Sequence, residues 1–233
     1  MRNKILVTGG NGRFAKVLKK RNNLLNLKFL SKKEMNILNI KSIEKCITKH
    51  KPKILIHTAG LSRPMQEHEI NISKSIDLNI IGTANIVKAC EKHNIKLIYF
   101  STCYVYDGIK GNFNETDPVK PINNYALSKL GGESSVLMYK NSLVLRIQMT
   151  EKPFFHKKAF TNLFSNYIFH DEMADILPKL LNSFGIINVG GKLQSIYNFA
   201  KQHNTKIIKD KCINKKIPLK QTMNLSKLKK ILN

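Results

Sequence analysis

The sequence lacks the features that mark a disulfide-bonded, zinc-binding or membrane-spanning protein. Its four cysteines (Cys46, Cys90, Cys103 and Cys212) are scattered and form no CxxC pair, which argues against a disulfide or zinc framework. No run of about 18 apolar residues occurs, so no membrane span is expected. The first residues have the pattern of a strand rather than a signal peptide, and we therefore expect a cytoplasmic protein.

Acidic residues are also scarce. Lys and Arg number 40 against 15 Asp and Glu, which gives a formal net charge of +25. Lysine is spread along the whole chain, and isoleucine and asparagine are abundant with it. This indicates a compositional bias rather than a specific nucleic-acid site. A positive field still favours an anionic small ligand, such as a phosphorylated cofactor or a nucleotide sugar.

What the sequence does contain is a regular alternation of strands and helices. A chain of 233 residues with 42% apolar residues can bury a substantial core. The alternation predicts an α/β fold with a Rossmann-like, doubly wound parallel sheet. We predict a dinucleotide-binding core over residues 1–149. A short substrate-facing lobe follows over 150–233, with a late strand at 185–189 that joins the main sheet.

A glycine-rich turn follows the first strand, Lys4–Thr8. In that turn Gly9 permits a tight bend and Gly12 allows the backbone to approach a pyrophosphate. The helix that begins here offers free N–H groups to the anion. At the end of the second strand stands Ser31-Lys32-Lys33, where an NAD-specific site usually has an acid. This favours NADP(H), with Arg13 as a second contact to the 2′-phosphate, although NAD(H) remains possible and the lysines can equally be a solvated pair.

Small polar residues end the other central strands. Thr58–Gly60, Ser101-Thr102 and Gln148 all follow apolar strands, and ligands of doubly wound sheets bind beyond such carboxyl ends. His57 is better interpreted as a packed residue at a strand end than as a catalyst. A loop and then a helix are predicted after Ser101-Thr102. Tyr125 and Lys129 lie four residues apart in that helix, and this spacing places them on one face of it.

These motifs resemble the extended short-chain dehydrogenase/reductase family. The matching stretches are TGGNGRFA, TAG, STCYVYDG, YALSK and GGE, together with GIINVGG and NLSKLKKIL near the end of the chain. Within the family the chain is most similar to dTDP-4-dehydrorhamnose reductases and related sugar-nucleotide reductases. The resemblance implies NADP-dependent reduction of a nucleotide-linked 4-keto-6-deoxysugar, for the synthesis of a surface polysaccharide sugar.

The resemblance also implies the roles of individual residues. Thr102, Tyr125 and Lys129 would be catalytic, with Tyr125 as the proton donor and its pKa lowered by Lys129 and by the nicotinamide charge. The implied cofactor contacts are Gly9, Asn11, Gly12, Arg13, Phe14, Ser31, Lys32, Asn36, Ile37, Thr58, Ala59, Gly60, Ser101, Tyr125 and Lys129. The implied substrate contacts are Leu61, Ser62, Cys103, Tyr104 and Gln148.

Departures from the family pattern keep two alternatives open. Cys103-Tyr104 stands where dehydratases carry an Asp-Glu pair, which disfavours dehydration. A nearby cysteine serves as an acid/base in GDP-fucose synthases, so epimerisation by Cys103, with His156, is one alternative. The other is a non-catalytic regulatory subunit, like the reductase-like subunit of methionine adenosyltransferase, because the second lobe is short. The expected partner is a nucleotide-sugar substrate rather than a specific nucleic acid, and a homodimer remains open.

Overall fold

The computed structural model describes residues 4–22 and 25–233. The strands in this part of the chain are β1 (Ile5–Thr8), β2 (Leu27–Leu30), β3 (Ile54–His57), β4 (Lys96–Thr102), β5 (Ser142–Ile147), β6 (Met149–Thr150), β7 (Lys158–Phe160), β8 (Phe164–Ser165), β9 (Ile168–Phe169), β10 (Gly185–Val189), β11 (Gln194–Ser195), β12 (Ile208–Asp210) and β13 (Lys220–Gln221). Its α-helices are α1 (Arg13–Arg21), α2 (Ile40–His50), α3 (Glu67–Ile70), α4 (Ile72–Ile76), α5 (Gly82–Lys92), α6 (Asn124–Leu137), α7 (His170–Leu180), α8 (Ile196–Lys201) and α9 (Ser226–Leu232).

Within these described residues, six strands form one sheet in the order β10-β5-β4-β3-β1-β2. Every neighbouring pair in this sheet is parallel. The chain runs outward from β1 to β2 and then returns to β3 on the other side of β1. The strand order therefore switches between β1 and β3, and ligands of doubly wound sheets bind beyond the carboxyl ends of the strands at such a switch. The predicted doubly wound α/β fold is confirmed.

Alternation along each central strand divides the core into two layers. In β1, Ile5 and Val7 face a cluster that includes α1, α7 and α9. Leu6 faces the other side, where α2, α5 and α6 pack. Successive side chains of a strand point to opposite faces, so a strand that is apolar throughout must be covered on both. Each buried aliphatic side chain stabilises the fold by roughly 1.5–3 kcal/mol.

The helical stretch after β3 differs from the prediction. Its pattern predicts one helix from Ile70 to Lys92, whereas the structure interrupts it with a π turn at Asp77–Ile81 between α4 and α5. The turn holds the buried Asn79, whose amide nitrogen donates to the Leu61 carbonyl and the Ser128 hydroxyl, both at 2.9 Å. Asn79 therefore joins the loop after β3 to α6. This role explains why asparagine, which disfavours a regular helix, stands inside a helical stretch.

The part of the chain after β5 adds β10 to the main sheet, packs α7 and α9 against that sheet, and otherwise forms a small lobe. β10 pairs with β5 in the main sheet. The lobe has three smaller pairings: β7 with β12, β9 with β6, and β8 with both β11 and β13. Phe154, Phe169 and Phe199 are buried in the lobe's own apolar cluster. Phe155 and Phe164 remain exposed. In the chain from 4 to 22 and 25 to 233, no helix has the length and apolar character that a membrane crossing requires.

Candidate active site

The loops on either side of the switch point are tied together. The Thr8 hydroxyl accepts from the backbone N–H groups of Thr58 (3.2 Å) and Ala59 (3.1 Å), and the Thr58 hydroxyl donates to the Thr8 carbonyl at 2.6 Å. Gly9 has φ +66°, and a Cβ there would lie 2.9 Å from the Ala59 backbone. Only glycine suits this position. His57 Nδ1 lies 2.8 Å from the Thr8 hydroxyl in the core, and burial lowers the pKa of His57 to about 3, as suits a packed residue.

The first turn of α1 can hold an anion. Gly12 precedes the helix, and within Gly12–Arg21 no side chain caps the turn and no acidic residue lies in it. Its N–H groups and the positive end of the helix dipole therefore suit a pyrophosphate. Phe14 is packed in the core 5.0 Å from Phe100, so only its backbone can reach a cofactor. The Arg13 guanidinium forms an ion pair with Glu151 at 2.9 Å, and this engages the arginine that we expected at a 2′-phosphate.

The end of β2 carries a carboxylate that the sequence reasoning missed. Glu34 folds back so that its Oε2 accepts from both the backbone N–H and the hydroxyl of Ser31, each at 2.8 Å. This is the reciprocal contact of a capping box, and the S-x-x-E pattern was its signal. Lys32 and Lys33 are exposed in the same turn. The end of the strand therefore holds both signs of charge, rather than lysines alone.

Two further predicted cofactor contacts are engaged by other residues of the protein. The side-chain Oδ1 of Asn36 accepts from the Leu38 N–H at 3.1 Å and so caps its own turn. Ile37 is 6% exposed and packs against α5, where a Cβ on Gly82 would lie 2.6 Å from its Cδ1. The Ile37 carbonyl accepts from Asn85 at 3.0 Å. The side chains of both residues thus serve packing and turn formation.

Thr102, Tyr125 and Lys129 come together at the carboxyl end of β4. Thr102 ends that strand, and its hydroxyl accepts from the Tyr104 N–H at 3.2 Å. Tyr125 lies in the first turn of α6, which Asn123 caps by accepting from the Ala126 N–H at 2.8 Å. The Thr102 hydroxyl lies close enough to Tyr125 to lower the pKa of its phenol. Lys129, one turn further along α6, places its Nζ 4.1 Å from the centre of the Tyr99 ring.

Burial dominates the ionisation of the two titratable groups in this set. It raises the pKa of Tyr125 to about 12, against the opposing effect of the Thr102 hydroxyl. It lowers the pKa of Lys129 to about 7, and the carboxylate of Glu133 acts in the opposite sense. In the protein chain alone the pKa of Tyr125 is therefore raised, whereas the resemblance implied that it would be lowered. A weakly charged lysine cannot by itself stabilise a tyrosinate.

A buried ion pair lies beneath Tyr125 and Lys129, and the sequence reasoning missed it as well. Glu133 is 0% and Arg146 3% exposed, and Arg146 Nη2 lies 2.6 Å from Glu133 Oε1. The Ser101 hydroxyl donates to the other carboxylate oxygen at 2.5 Å. Ser101, which we expected to contact the cofactor, therefore directs its side chain towards α6. The available signal was spacing, because Glu133 continues the four-residue ladder of Tyr125 and Lys129.

A cavity of about 220 Å³ has Tyr104 in its wall. The Tyr104 ring lies 5.8 Å from the Tyr125 ring, centre to centre, but Tyr125 itself does not line the cavity. Basic and aromatic side chains line much of the rest, among them Arg63, His156, Lys158, Phe154, Phe160 and Tyr167. Such a wall suits an anionic ligand with flat or apolar parts. It comes mainly from the lobe after residue 150, where the sequence carries no local signal.

The other predicted substrate contacts do not line this cavity. Cys103 is 0% exposed, its sulfur lies 3.4 Å from an amide oxygen of Gln148, and burial raises the pKa of its thiol. Gln148 is itself buried, and its amide oxygen also accepts from Ser165. The Leu61 N–H donates to Asn79 at 2.7 Å. Ser62 is exposed in the same loop. Of the five, Tyr104 is the residue that lines the cavity.

Comparison with known proteins places the chain in a family. Residues 2–165 match the family model described as the RmlD substrate binding domain. The chain belongs to this family. A dTDP-4-dehydrorhamnose reductase from Aggregatibacter actinomycetemcomitans is 30% identical over 155 residues, which are 63% of this chain and 51% of that protein. Methionine adenosyltransferase 2 subunit beta from Bos taurus is 30% identical over 150 residues, 61% of this chain and 43% of that protein. The chain thus spans about half the length of these relatives.

Solved structures resemble the whole chain. A dTDP-4-dehydrorhamnose reductase from Bacillus anthracis in complex with NADP has a TM-score of 0.87 at 21% identity, over 98% of this chain and 91% of that one. A UDP-glucose 4-epimerase from Thermus thermophilus in complex with NAD has a TM-score of 0.79 at 18% identity, over 98% and 92%. At these identities the likeness concerns the fold. The predicted membership of an extended reductase family is confirmed.

Proposed function

We propose that this chain reduces the 4-keto group of a nucleotide-linked 6-deoxysugar with NADPH, for the synthesis of a surface polysaccharide sugar. NADH is a possible second hydride donor. The observation that carries the proposal is the convergence of Thr102, at the end of β4, with Tyr125 and Lys129, which lie one helical turn apart on α6. The Tyr104 ring connects this set to a cavity with a basic and aromatic wall, because it lies 5.8 Å from the Tyr125 ring and also lines the cavity. The nicotinamide, when bound, supplies the hydride that adds to the carbonyl carbon.

The residues at the switch point fit a dinucleotide. Gly9 and Gly12 form a cradle that side chains would obstruct, since a Cβ on Gly12 would lie 3.0 Å from the Gly9 carbonyl oxygen. The uncapped first turn of α1 would hold the pyrophosphate. Ala59 and Gly60 would border the nicotinamide half of the crevice, and Lys129 would hold the nicotinamide ribose. Lys32 would contact the 2′-phosphate at the other end.

Tyr125 is the proton donor of the proposed reaction. As the carbonyl oxygen gains negative charge, Tyr125 transfers its phenolic proton to that oxygen and Thr102 hydrogen-bonds the same atom. A pKa of about 12 keeps the phenol protonated at neutral pH, which is the form that donates. The positive charge of an oxidised nicotinamide and of protonated Lys129 would stabilise the tyrosinate that is left. General acid catalysis of this kind contributes about 10²–10⁴-fold.

The wall of the cavity supports a nucleotide-linked substrate. Arg63 and Lys158 are cations, and Tyr104, Phe160 and Tyr167 offer ring faces and edges. A diphosphate would pair with the cations, because an arginine fork binds phosphate oxygens in a bidentate manner. The base or sugar would contact the rings. Displacement of Glu151 from Arg63, where the ion pair is 3.1 Å, would free that guanidinium for the ligand.

The test is a panel of 4-keto sugar nucleotides, each with NADPH and with NADH. Loss of nicotinamide absorbance reports turnover, and NMR of the product identifies the carbon that was reduced. Reduction at C4 of a 6-deoxysugar nucleotide is the expected result. If NADPH binds but no member of the panel is reduced, the proposed reaction is contradicted.

A regulatory subunit is the second candidate, because a subunit of methionine adenosyltransferase is 30% identical over 150 residues. The two functions differ in what the catalytic set does. For a reductase, Tyr125→Phe abolishes turnover. For a regulatory subunit, that change leaves function intact, and the chain should alter the activity of a partner enzyme when the two are mixed. Epimerisation by Cys103 receives no support from the structure, since the thiol is enclosed and its pKa is raised.

A further inference from the structure

Tyr99 contacts Lys129 in two ways, although the proposed reaction gives it no role. The face of its ring lies against the Lys129 ammonium, whose Nζ is 4.1 Å from the ring centre. Its phenol hydroxyl donates to the Lys129 backbone carbonyl at 3.2 Å. Tyr99 is 1% exposed and lies in β4, the strand that ends at Thr102. One side chain of a central strand thus touches the lysine at its backbone and at its charged end.

The surroundings of Tyr99 hold its ring in place. The His57 ring stacks on it at 5.9 Å between centres, with 28° between the two planes. α6 approaches its hydroxyl closely at Gly132, where a Cβ would lie 2.6 Å from the Tyr99 oxygen. Close packing of this kind leaves a buried side chain little freedom to move. The ring is therefore a fixed surface against which the ammonium can rest.

We propose that Tyr99 is a positioning residue of the reduction, whose ring face holds the Lys129 ammonium in place and stabilises its positive charge. The inference rests on the proposed function, in which charged Lys129 holds the nicotinamide ribose and stabilises the tyrosinate of Tyr125. A cation over the face of an aromatic ring is attracted by the negative charge of that face. The contact also limits where the end of a long, flexible lysine side chain can lie.

The charge of Lys129 needs such support. Burial lowers the pKa of Lys129 to about 7, while the Glu133 carboxylate, one turn further along α6, favours the charged form. Burial, followed by the charge of Lys129, lowers the pKa of His57 in β3 to about 3. Burial also lowers the pKa of His68 in α3, and burial raises that of Tyr125 to about 12. These three rings are therefore neutral at pH 7, and the ammonium is favoured by the carboxylate and by the ring face against it.

The experiment measures the pKa of Lys129 as the pH dependence of its acetylation by acetic anhydride. Lys129 is partly exposed, the unprotonated amine is the form that reacts, and peptide mass spectrometry separates it from the other lysines. Tyr99→Phe keeps the ring face and should leave the midpoint nearly unchanged. Phenylalanines with increasing numbers of ring fluorines, placed at the same position, keep the ring and withdraw negative charge from its face. We expect them to lower the midpoint progressively, by about one pH unit in total.

The pH profile of turnover is the second readout, because a purely structural role would not move it. The rate should fall as Lys129 loses its proton, and fluorination should move this fall to lower pH by the same amount as the acetylation midpoint. Tyr99→Leu, which removes the ring face altogether, should move it at least as far. If that variant does not fold, the fluorinated series still tests the inference.

Tyr139→Leu is the matched control. Tyr139 packs against the same layer of the core, and its hydroxyl donates to the Cys90 and Ile95 carbonyls at 3.2 and 3.1 Å. Its loss should leave both the midpoint and the pH profile unchanged.

The inference is overturned if fluorination leaves the acetylation midpoint of Lys129 unchanged, or if the midpoint falls and the pH profile of turnover does not follow. In either case turnover by the unaltered protein leaves the proposed function in place. If the unaltered protein reduces no 4-keto sugar nucleotide, the proposed function falls, and the role of Tyr99 in that reaction falls with it, whatever the midpoint.

Discussion

Two glutamates of this protein accept a hydrogen bond from a serine at the end of a strand, and they differ almost only in burial. Glu133 accepts from Ser101 at the end of β4, has no exposed surface and pairs with Arg146. Glu34 accepts from Ser31 just after β2, and about half of its side chain is exposed. The same contact therefore has different consequences. Beneath α6 the contact supports the packed interior, and after β2 it closes an exposed turn.

Burial explains the difference. A charge in the interior has lost its water and depends wholly on its protein partners, so their removal is expensive. A charge at the surface is stabilised by water whatever its partners do, and its removal changes stability little. On this account, changes at Glu133 should lower the unfolding free energy much more than changes at Glu34.

The largest effect on stability should come from Glu133→Gln. The change leaves the Arg146 guanidinium buried without its anionic partner, and breaking such a pair destabilises proteins by about 3–5 kcal/mol. Urea denaturation followed by circular dichroism measures the loss. An unfolding free energy within about 0.5 kcal/mol of the unaltered protein would show that water or another group replaces the carboxylate.

A smaller effect on stability should come from Lys129, in the same helix as Glu133, and it should depend on pH. Lys129 has a pKa of about 7 in the folded protein against its ordinary 10.5, so the unfolded chain binds more protons between these values. The unfolding free energy should therefore rise with pH from about 7 towards 10, by at most about 1.4 kcal/mol per pH unit. Denaturation at several pH values measures the slope.

Two variants separate this effect from other titrations. Lys129→Met should remove the rise above pH 7, whereas Lys33→Met, at the exposed turn after β2, should retain it. If both variants keep the same slope as the unaltered protein, Lys129 is not the group responsible. Tyr125, with a pKa raised to about 12, would contribute only above its ordinary value of 10, and there with the opposite sign.

The smallest effect should be that of Glu34→Gln on stability. Substitutions of exposed charges usually change the unfolding free energy by less than about 0.5 kcal/mol. A large loss of stability would mean that the turn after β2 supports the core, and the contrast between the two glutamates would then fail.

The sequence predicted well what depends on local pattern. Apolar runs such as the one at Ile54–His57 form central strands, and the Ser195 hydroxyl caps the helix that follows it. The prediction that Tyr125 and Lys129 share one face of a helix rested on four-residue spacing, and the structure places both residues in α6. Periodicity and capping are local, and they can be judged before any tertiary contact is known.

Features that depend on distant partners escaped prediction. The π turn forms because Asn79 bonds Leu61 and Ser128, which lie 18 and 49 residues away along the chain. The wall of the cavity assembles from strands as short as β7 and β8, which pair across the lobe. The contact between Glu34 and Ser31 is different, because the S-x-x-E pattern is a local signal for it. The position of the carboxylate at the end of β2 follows from the geometry of the turn.

The measurement that tests the central claim most directly is hydride transfer by Tyr125→Phe in a single turnover with a reducible 4-keto sugar nucleotide. The account predicts that the rate falls by about 10²–10⁴-fold, because the proton donor is lost while Thr102 and Lys129 remain. The dissociation constant for NADPH should stay nearly unchanged. An unaltered rate in this variant, with the cofactor bound as before, would contradict the assignment of Tyr125 and with it the proposed mechanism.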